Sequence, residues 1–209
     1  MKTSAPINRR PIRTRGALWA RSLAASVART GISPNTISGV GVLVALVGAA
    51  AVVWGGAIGW FAGAVAVQTR LLCNMLDGLV AVEHDRKSAL GDLFNEVPDR
   101  MEDVLFLVAA GIASGTAWLG WLAALLAVGT AYIRLLGGSL GLDQDFKGPL
   151  AKPQRMFVLT VTFLLAGALE LWGANFPVVK LGLSLIAVGT ACTFCGRLGR
   201  MASRLREGS

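Results

Sequence analysis

Long apolar stretches recur along the chain, and their length limits what it can fold into more than any other feature. The first runs from Ile37 to Trp54 without a charged residue, close to the roughly 20 apolar residues that cross a bilayer. Further stretches begin at Ala57, near Asp99 and at Ala117, and two more cover Met156–Trp172 and Val178–Cys195. With 54% hydrophobic and 15% charged residues, the chain lacks the surface of a soluble domain. We therefore predict an all-α integral membrane protein with six transmembrane helices.

The basic residues predict the orientation of these helices. Residues 1–36 hold seven lysines and arginines and no acid, and further basic residues lie in every second connection and after residue 196. Because lysine and arginine collect on the cytoplasmic side, we expect both termini there, in a membrane that the single-domain build suggests is bacterial. We divide the chain into a basic segment (1–36), a six-helix domain (37–196) and a basic tail (197–209).

The N-terminal segment "RGALWARSLAASVART" spaces its apolar residues helically. This pattern predicts an amphipathic helix lying in the membrane interface, with a solvated basic tail as the alternative. The net charge of +8 does not indicate a nucleic-acid partner, because the basic residues form a membrane-flanking belt without a base-reading motif. The expected partners of this surface are membrane lipids.

Carboxylates gather in "LLCNMLDGLVAVEHDRKSALGDLFNEVPDRMED" (71–103), which holds eight of the chain's twelve acidic residues. Ionisable residues inside transmembrane helices usually mark function. Helical spacing places candidate side chains on two faces, one with Asn74, Asp77, Gly78 and Ala81, the other with Gly91, Asn95 and Asp99. Clustered oxygen ligands suit a hard divalent cation. At the cytoplasmic end of a bundle, a metal-bound phosphate is the expected ligand.

The same spacing resembles the signature of the CDP-alcohol phosphotransferase family, D-x2-D-G-x2-A-R-x8-G-x3-D-x3-D. This chain reads Asn74-x2-Asp77-Gly78-x2-Ala81-Val82-x8-Gly91-x3-Asn95-x3-Asp99, with every interval kept. The segments "GISPNTIS" before the first long helix and "GPLAKPQR" before the fifth also resemble the family. The resemblance therefore covers most of the chain.

The resemblance implies a transferase that moves a phosphatidyl group from a CDP-linked lipid, such as CDP-diacylglycerol, to a hydroxyl acceptor and releases CMP. It implies a homodimer and one or two Mg²⁺ or Mn²⁺ ions, a second ion entering together with the CDP-linked lipid. The implied metal ligands are Asp77, Asp99, Asn74 and Asn95, with Asp99 as the catalytic base. The implied nucleotide-binding residues are Gly78, Ala81, Gly91 and Asp77.

Three departures from the signature bear on activity: Asn74 and Asn95 replace aspartates, and Val82 replaces an arginine. An asparagine oxygen can bind a metal but brings no charge, so the matched positions supply two negative charges rather than four. One hypothesis is a subfamily with altered metal use and intact transfer. The other is a decayed site that binds lipid or nucleotide as a regulatory partner. A transporter is a third hypothesis, which the gathering of acids near one surface disfavours.

Other charged residues have candidate roles around this stretch. By resemblance, Arg134, Lys152 and Arg155 would hold the phosphate of a phosphorylated acceptor, although loop cations also fix topology and Asp143 or Asp145 could pair with them. Glu102 and Asp103 could pair with Arg70 or with the basic loops. Pro98 is expected to lie inside a helix and kink it, and the alternative is that it begins the third long helix.

Overall fold

The computed structural model of the chain describes residues 18–83 and 91–207, and all side chains in these ranges except those at positions 82, 83, 91, 92, 94 and 95. The described residues form seven α-helices. They are α1 (Leu18–Arg29), α2 (Pro34–Trp54), α3 (Gly56–Glu83), α4 (Gly91–Ala113), α5 (Ala117–Ser139), α6 (Lys152–Leu171) and α7 (Val178–Glu207).

Five of these helices, α2, α3, α5, α6 and α7, are long and apolar enough to cross a membrane. Their outward faces carry large apolar side chains that are more than half exposed, including Leu43, Val47, Val65, Leu125 and Val188. Helices that are apolar on the outside as well as the inside suit a lipid environment. The all-α membrane fold is thus confirmed. α4 has the length of a span but carries acidic residues through its first half, so six crossings and cytoplasmic termini stay predictions.

The six long helices pack as a closed ring in the order α2, α3, α6, α7, α5 and α4. The core of the ring includes Val52, Val67, Phe106, Phe163 and Leu183, none of which is exposed. The buried charged residues lie in the first turn of α6, in the first half of α4 and in the second halves of α3, α5 and α7. One end of the ring is therefore apolar inside, and the other holds the charged side chains.

Local signals explain several helix boundaries. Ser33 caps α2, since its side chain accepts a hydrogen bond from the Thr36 backbone N–H, and Pro34 occupies the first turn. Pro98 lies inside α4, so the alternative that it begins this helix is wrong. α6 begins at Lys152, one turn before the predicted Met156. Hydropathy locates where an apolar stretch begins, whereas a helix continues through polar residues at the membrane surface.

The predicted N-terminal helix is present as α1, although the face that it buries consists of alanines. Ala20, Ala24 and Ala28 pack against α3, next to Leu76 and Val80. Alanines at intervals of four lie on one face of a helix and let two backbones approach closely. Trp19 stays exposed on the outer side. A position in the membrane interface stays a prediction, as does the division of the chain at residues 36 and 196.

Replacing Gly48 by valine should destabilise the bundle. A Cβ at this position would overlap that of Ala66 on α3 and would meet the ring of Phe106 on α4. Because overpacking a close helix contact typically costs about 1–3 kcal/mol, Gly48→Val should lower the unfolding temperature of the detergent-purified protein. Gly39→Val on the same helix is the matched control, since no atom outside the helix lies within 4 Å of its added Cβ. Equal unfolding temperatures for the two variants would contradict the predicted contact.

Candidate active site

The predicted residues Asn74 and Asp99 meet across α3 and α4. Asn74 Nδ2 donates to Asp99 Oδ1 over 2.6 Å and to Glu102 Oε2 over 3.1 Å. Because ionised carboxylates only accept hydrogen bonds, the NH₂ group of the Asn74 amide can bond to them and its oxygen cannot. Asn74 therefore joins the two helices through its nitrogen. Asp99 is 8% exposed and stands at the centre of the polar end of the ring.

Asp77, three residues after Asn74, is held from the opposite side by α2. The Ser38 hydroxyl donates to Asp77 Oδ2 over 2.6 Å, and both side chains are buried. Sequence reasoning did not assign a role to Ser38. The available signal was its position as the last residue of "GISPNTIS", the segment that carries part of the family resemblance.

Arg70 is fully buried among three carboxylates, one turn before Asn74 on α3. Its Nη1 lies 3.2 Å from Asp99 Oδ1 and 3.2 Å from Glu102 Oε2, while Nη2 contacts Asp103. The predicted pairing of Arg70 with Glu102 and Asp103 is therefore confirmed. Its contact with Asp99 also ties the arginine to the candidate base.

Two of the three predicted acceptor cations reach the same carboxylates from the first turn of α6. Lys152 Nζ contacts Asp99 and lies 3.6 Å from Asp103 Oδ1. Arg155 Nη2 donates to Asp103 Oδ2 over 2.8 Å, and its side chain is almost completely buried. Three helices thus converge on this cluster, with the acids on α4 and the cations on α3 and α6.

Arg134, the third predicted acceptor cation, lies beside the cluster. Its Nη2 donates to both carboxylate oxygens of Glu96, at 2.7 and 2.6 Å, and its Nη1 donates to the side-chain oxygen of Gln144 over 2.6 Å. Arg100 connects the two groups because its Nη2 contacts Asp99 and lies 3.2 Å from Glu96. The Arg134–Glu96 pair and the cluster around Asp99 are therefore one continuous network.

The connection between α5 and α6 is held by arginines of α7. Arg197 donates to the carbonyl oxygens of Lys147 and Thr130, at 3.0 and 2.8 Å, and Arg200 donates to Asp145 over 2.6 Å. Burial opposes the ionisation of Asp145, but hydrogen bonds from Arg200 and the Lys147 N–H hold the pKa of this carboxyl below its usual value. Asp145 thus pairs with the tail rather than with the acceptor cations. Sequence reasoning assigned Arg197 only to topology.

The remaining predicted residues are less informative. Gly78 is buried and Ala81 half-buried on α3, which leaves their proposed contact with a nucleotide a prediction. The side chain of Asn95 and the surroundings of Gly91 lie outside the described part of the structure, so the roles assigned to the two residues also stay predictions.

The described donors do not fit a two-metal centre. Among the side chains that the structure describes, which leave out those at positions 82, 83, 91, 92, 94 and 95, no three carboxylates, histidines or cysteines are arranged to hold a metal ion. Asn74 turns its nitrogen rather than its oxygen to Asp99, and the carboxylate of Asp99 is already contacted by arginine and lysine side chains. An asparagine nitrogen is not a ligand for Mg²⁺ or Mn²⁺. The assigned metal ligands stay a prediction that this geometry does not support.

Comparison with solved structures identifies the fold. Phosphatidylinositol phosphate synthase (PgsA1) of Mycobacterium tuberculosis with CDP-DAG bound superposes with a TM-score of 0.75 at 22% identity, covering 88% of this chain and 94% of the synthase. The chain has the fold of this synthase. Its complex with manganese and citrate gives a TM-score of 0.74 over 87% of this chain and 88% of the synthase, also at 22% identity. The apo form gives 0.69, with 85% and 93% covered.

The fold that the resemblance to CDP-alcohol phosphotransferases implies is therefore confirmed. No protein-family model matches the sequence, and no curated protein matches it. Similarity at this level of identity indicates a shared fold, whereas the chemistry of the site depends on its own residues.

Replacing Arg70 by methionine should strongly destabilise the protein. Three carboxylates would lose their common buried partner, and breaking a buried charge network in this way costs about 3–5 kcal/mol. Thermal unfolding in detergent measures the loss. Arg200→Met is the control, because its pair with Asp145 is partly exposed and such pairs contribute at most about 1 kcal/mol. A small, equal effect of both changes would show that Arg70 does not hold the cluster together.

Proposed function

We propose that this chain is a CDP-alcohol phosphotransferase that moves a phosphatidyl group from a CDP-linked lipid, such as CDP-diacylglycerol, to a hydroxyl acceptor. The observation that carries the proposal is the position of the signature-spaced Asp77 and Asp99, both buried at the polar end of the ring. A solved protein of the same fold holds CDP-DAG. Nucleotide contacts at Gly78, Ala81 and Gly91 belong to this proposal.

The reaction needs a base for the acceptor and positive charge for the phosphates. The acceptor oxygen forms a bond to the lipid-side phosphorus, the bond from that phosphorus to the bridging oxygen breaks, and CMP leaves with the electron pair. Asp99 takes the acceptor proton, because it is the carboxylate at the centre of the cluster. Lys152 and Arg100, which contact Asp99, supply positive charge next to the reacting phosphate.

The acceptor in this proposal carries a phosphate. Within the described residues, Nε and Nη1 of Arg155 are buried and have no hydrogen-bond partner. A buried donor without a partner costs about 1–3 kcal/mol, and the oxygens of a bound phosphate accept charge-assisted hydrogen bonds from such guanidinium donors. Arg155 is therefore proposed to hold the acceptor phosphate, with Arg134 at the edge, while Lys152, predicted to share this role, contacts Asp99 and faces the reacting phosphate instead.

The proposal includes the setting of the enzyme. Six transmembrane helices, counting α4, would place both termini and the polar end of the ring at the cytoplasmic face of a bacterial membrane. A homodimer belongs to the same proposal by resemblance alone.

A second candidate is a catalytically decayed protein that binds CDP-lipid or nucleotide as a regulatory partner. The observation that favours it is the donor role of Asn74, which joins α3 to α4 through Asp99 and Glu102. An amide in this position stabilises the cluster without any need for turnover. Measurement of CMP release separates the two candidates.

Detergent-purified protein titrated with CDP-diacylglycerol should release CMP when a suitable phosphorylated alcohol is added. Asp99→Asn and Asp77→Asn should each lower the rate by at least about 100-fold, as expected for loss of an acid–base or substrate-positioning group. Asp143→Asn, at an exposed carboxylate outside the cluster, should leave the rate unchanged.

Rates that survive both cluster substitutions would disprove the assigned site. Tight binding of CDP-diacylglycerol without CMP release, for every acceptor tried, would favour the regulatory partner over the enzyme.

A further inference from the structure

Every polar contact described for Asp99 comes from a donor within the chain. Lys152 and Arg100 contact the carboxylate directly, Arg70 Nη1 lies 3.2 Å from Oδ1, and Asn74 Nδ2 lies 2.6 Å from the same oxygen. These donors come from α3, α4 and α6. The carboxylate that the family signature assigns to metal binding is therefore surrounded by ammonium, guanidinium and amide groups.

The charges of the cluster balance without a metal. The ion-paired network contains four carboxylates, namely Glu96, Asp99, Glu102 and Asp103, and Asp77 is a fifth that Ser38 holds one turn after Asn74. It also contains five cations, namely Arg70, Arg100, Arg134, Lys152 and Arg155. Two divalent ions would add four positive charges to a site that is already neutral. Such an excess is unfavourable in a buried, low-dielectric setting.

The position of Lys152 indicates that its contact with Asp99 is specific. Lys152 lies in the first turn of α6, where the helix dipole places positive potential and disfavours a cation. The side chain is nevertheless 14% exposed and directed onto Asp99 and Asp103. The two carboxylates offset the unfavourable helix end, so the lysine and the acids depend on each other.

We propose that Lys152, assisted by Arg100, takes the place of a divalent ion on Asp99, so that this chain has a metal-independent version of the site. The phosphates of the donor lipid would then meet an ammonium and a guanidinium group that are part of the protein. Arginine binds phosphate oxygens in pairs and lysine binds them as a point charge, so the two can supply the charge that a metal would bring. The inference deepens the proposed function, on which it rests for the role of Asp99 in the substrate site.

Binding of Mn²⁺ to the detergent-purified full chain, followed by electron paramagnetic resonance without nucleotide, tests the inference. Wild-type protein should bind no Mn²⁺ at the polar end up to about 1 mM, the weak limit of protein sites for divalent cations. Lys152→Met should expose the charge of Asp99, and Asn74→Asp should add a third carboxylate beside Asp99 and Glu102. Each should tighten Mn²⁺ binding by at least about tenfold, because affinity follows the number of charged ligands.

Lys147→Met is the matched control, since Lys147 lies shortly before Lys152, in the connection that precedes α6, and has an exposed side chain. It should bind Mn²⁺ no better than the wild type. Tight binding by the wild type would overturn the inference. The inference would also be overturned if neither Lys152→Met nor Asn74→Asp gained affinity for Mn²⁺. The two variants act independently, so if one of them does not fold, the other still tests the inference.

The readout does not depend on turnover. Absence of CMP release would disprove the proposed transferase activity but would not change the result of the Mn²⁺-binding measurement. Tight Mn²⁺ binding by the wild type would disprove the metal-independent site but would be compatible with the proposed transferase activity.

Discussion

The guanidinium of Arg70 lies among the carboxylates of Asp99, Glu102 and Asp103, and this buried contact joins α3 to α4. Asp103 extends the connection to α6 through Arg155. Three acids within two turns of one helix would repel each other in a low-dielectric interior, so their burial requires a cation in their midst. The polar end of the ring depends on this arrangement, while the other end is held by apolar packing around Phe106 and Phe163.

The same arrangement determines what the site can do. A fold shared with a synthase brings helices together in a known order, yet the side chains at their contacts decide the chemistry. Here the amide nitrogen of Asn74 bonds to Asp99, and Lys152 reaches the same carboxylate. The two contacts have the same effect, because each places a hydrogen-bond donor on Asp99 where a metal-binding site requires converging oxygen atoms.

Several features of the site followed from periodicity. Helical spacing places Asn74 and Asp77 on one face of a helix. Pairing with Arg70 was one of two alternatives for Glu102 and Asp103, the other being the basic loops. Contacts between distant segments were not available in this way. Ser38 bonds to Asp77 and Lys152 contacts Asp99 because α2 and α6 pack beside α3, and neither neighbour can be read from local spacing.

The sequence by itself determined the helical membrane architecture and the faces that carry charge, because hydropathy and helical period are properties of each segment alone. Only the tertiary structure decided which charges meet, that the amide of Asn74 donates, and that α7 holds the connection before α6 through Arg197. Those outcomes depend on the rotation and depth of each helix relative to its neighbours. Packing of the whole ring sets both, and no single segment encodes them.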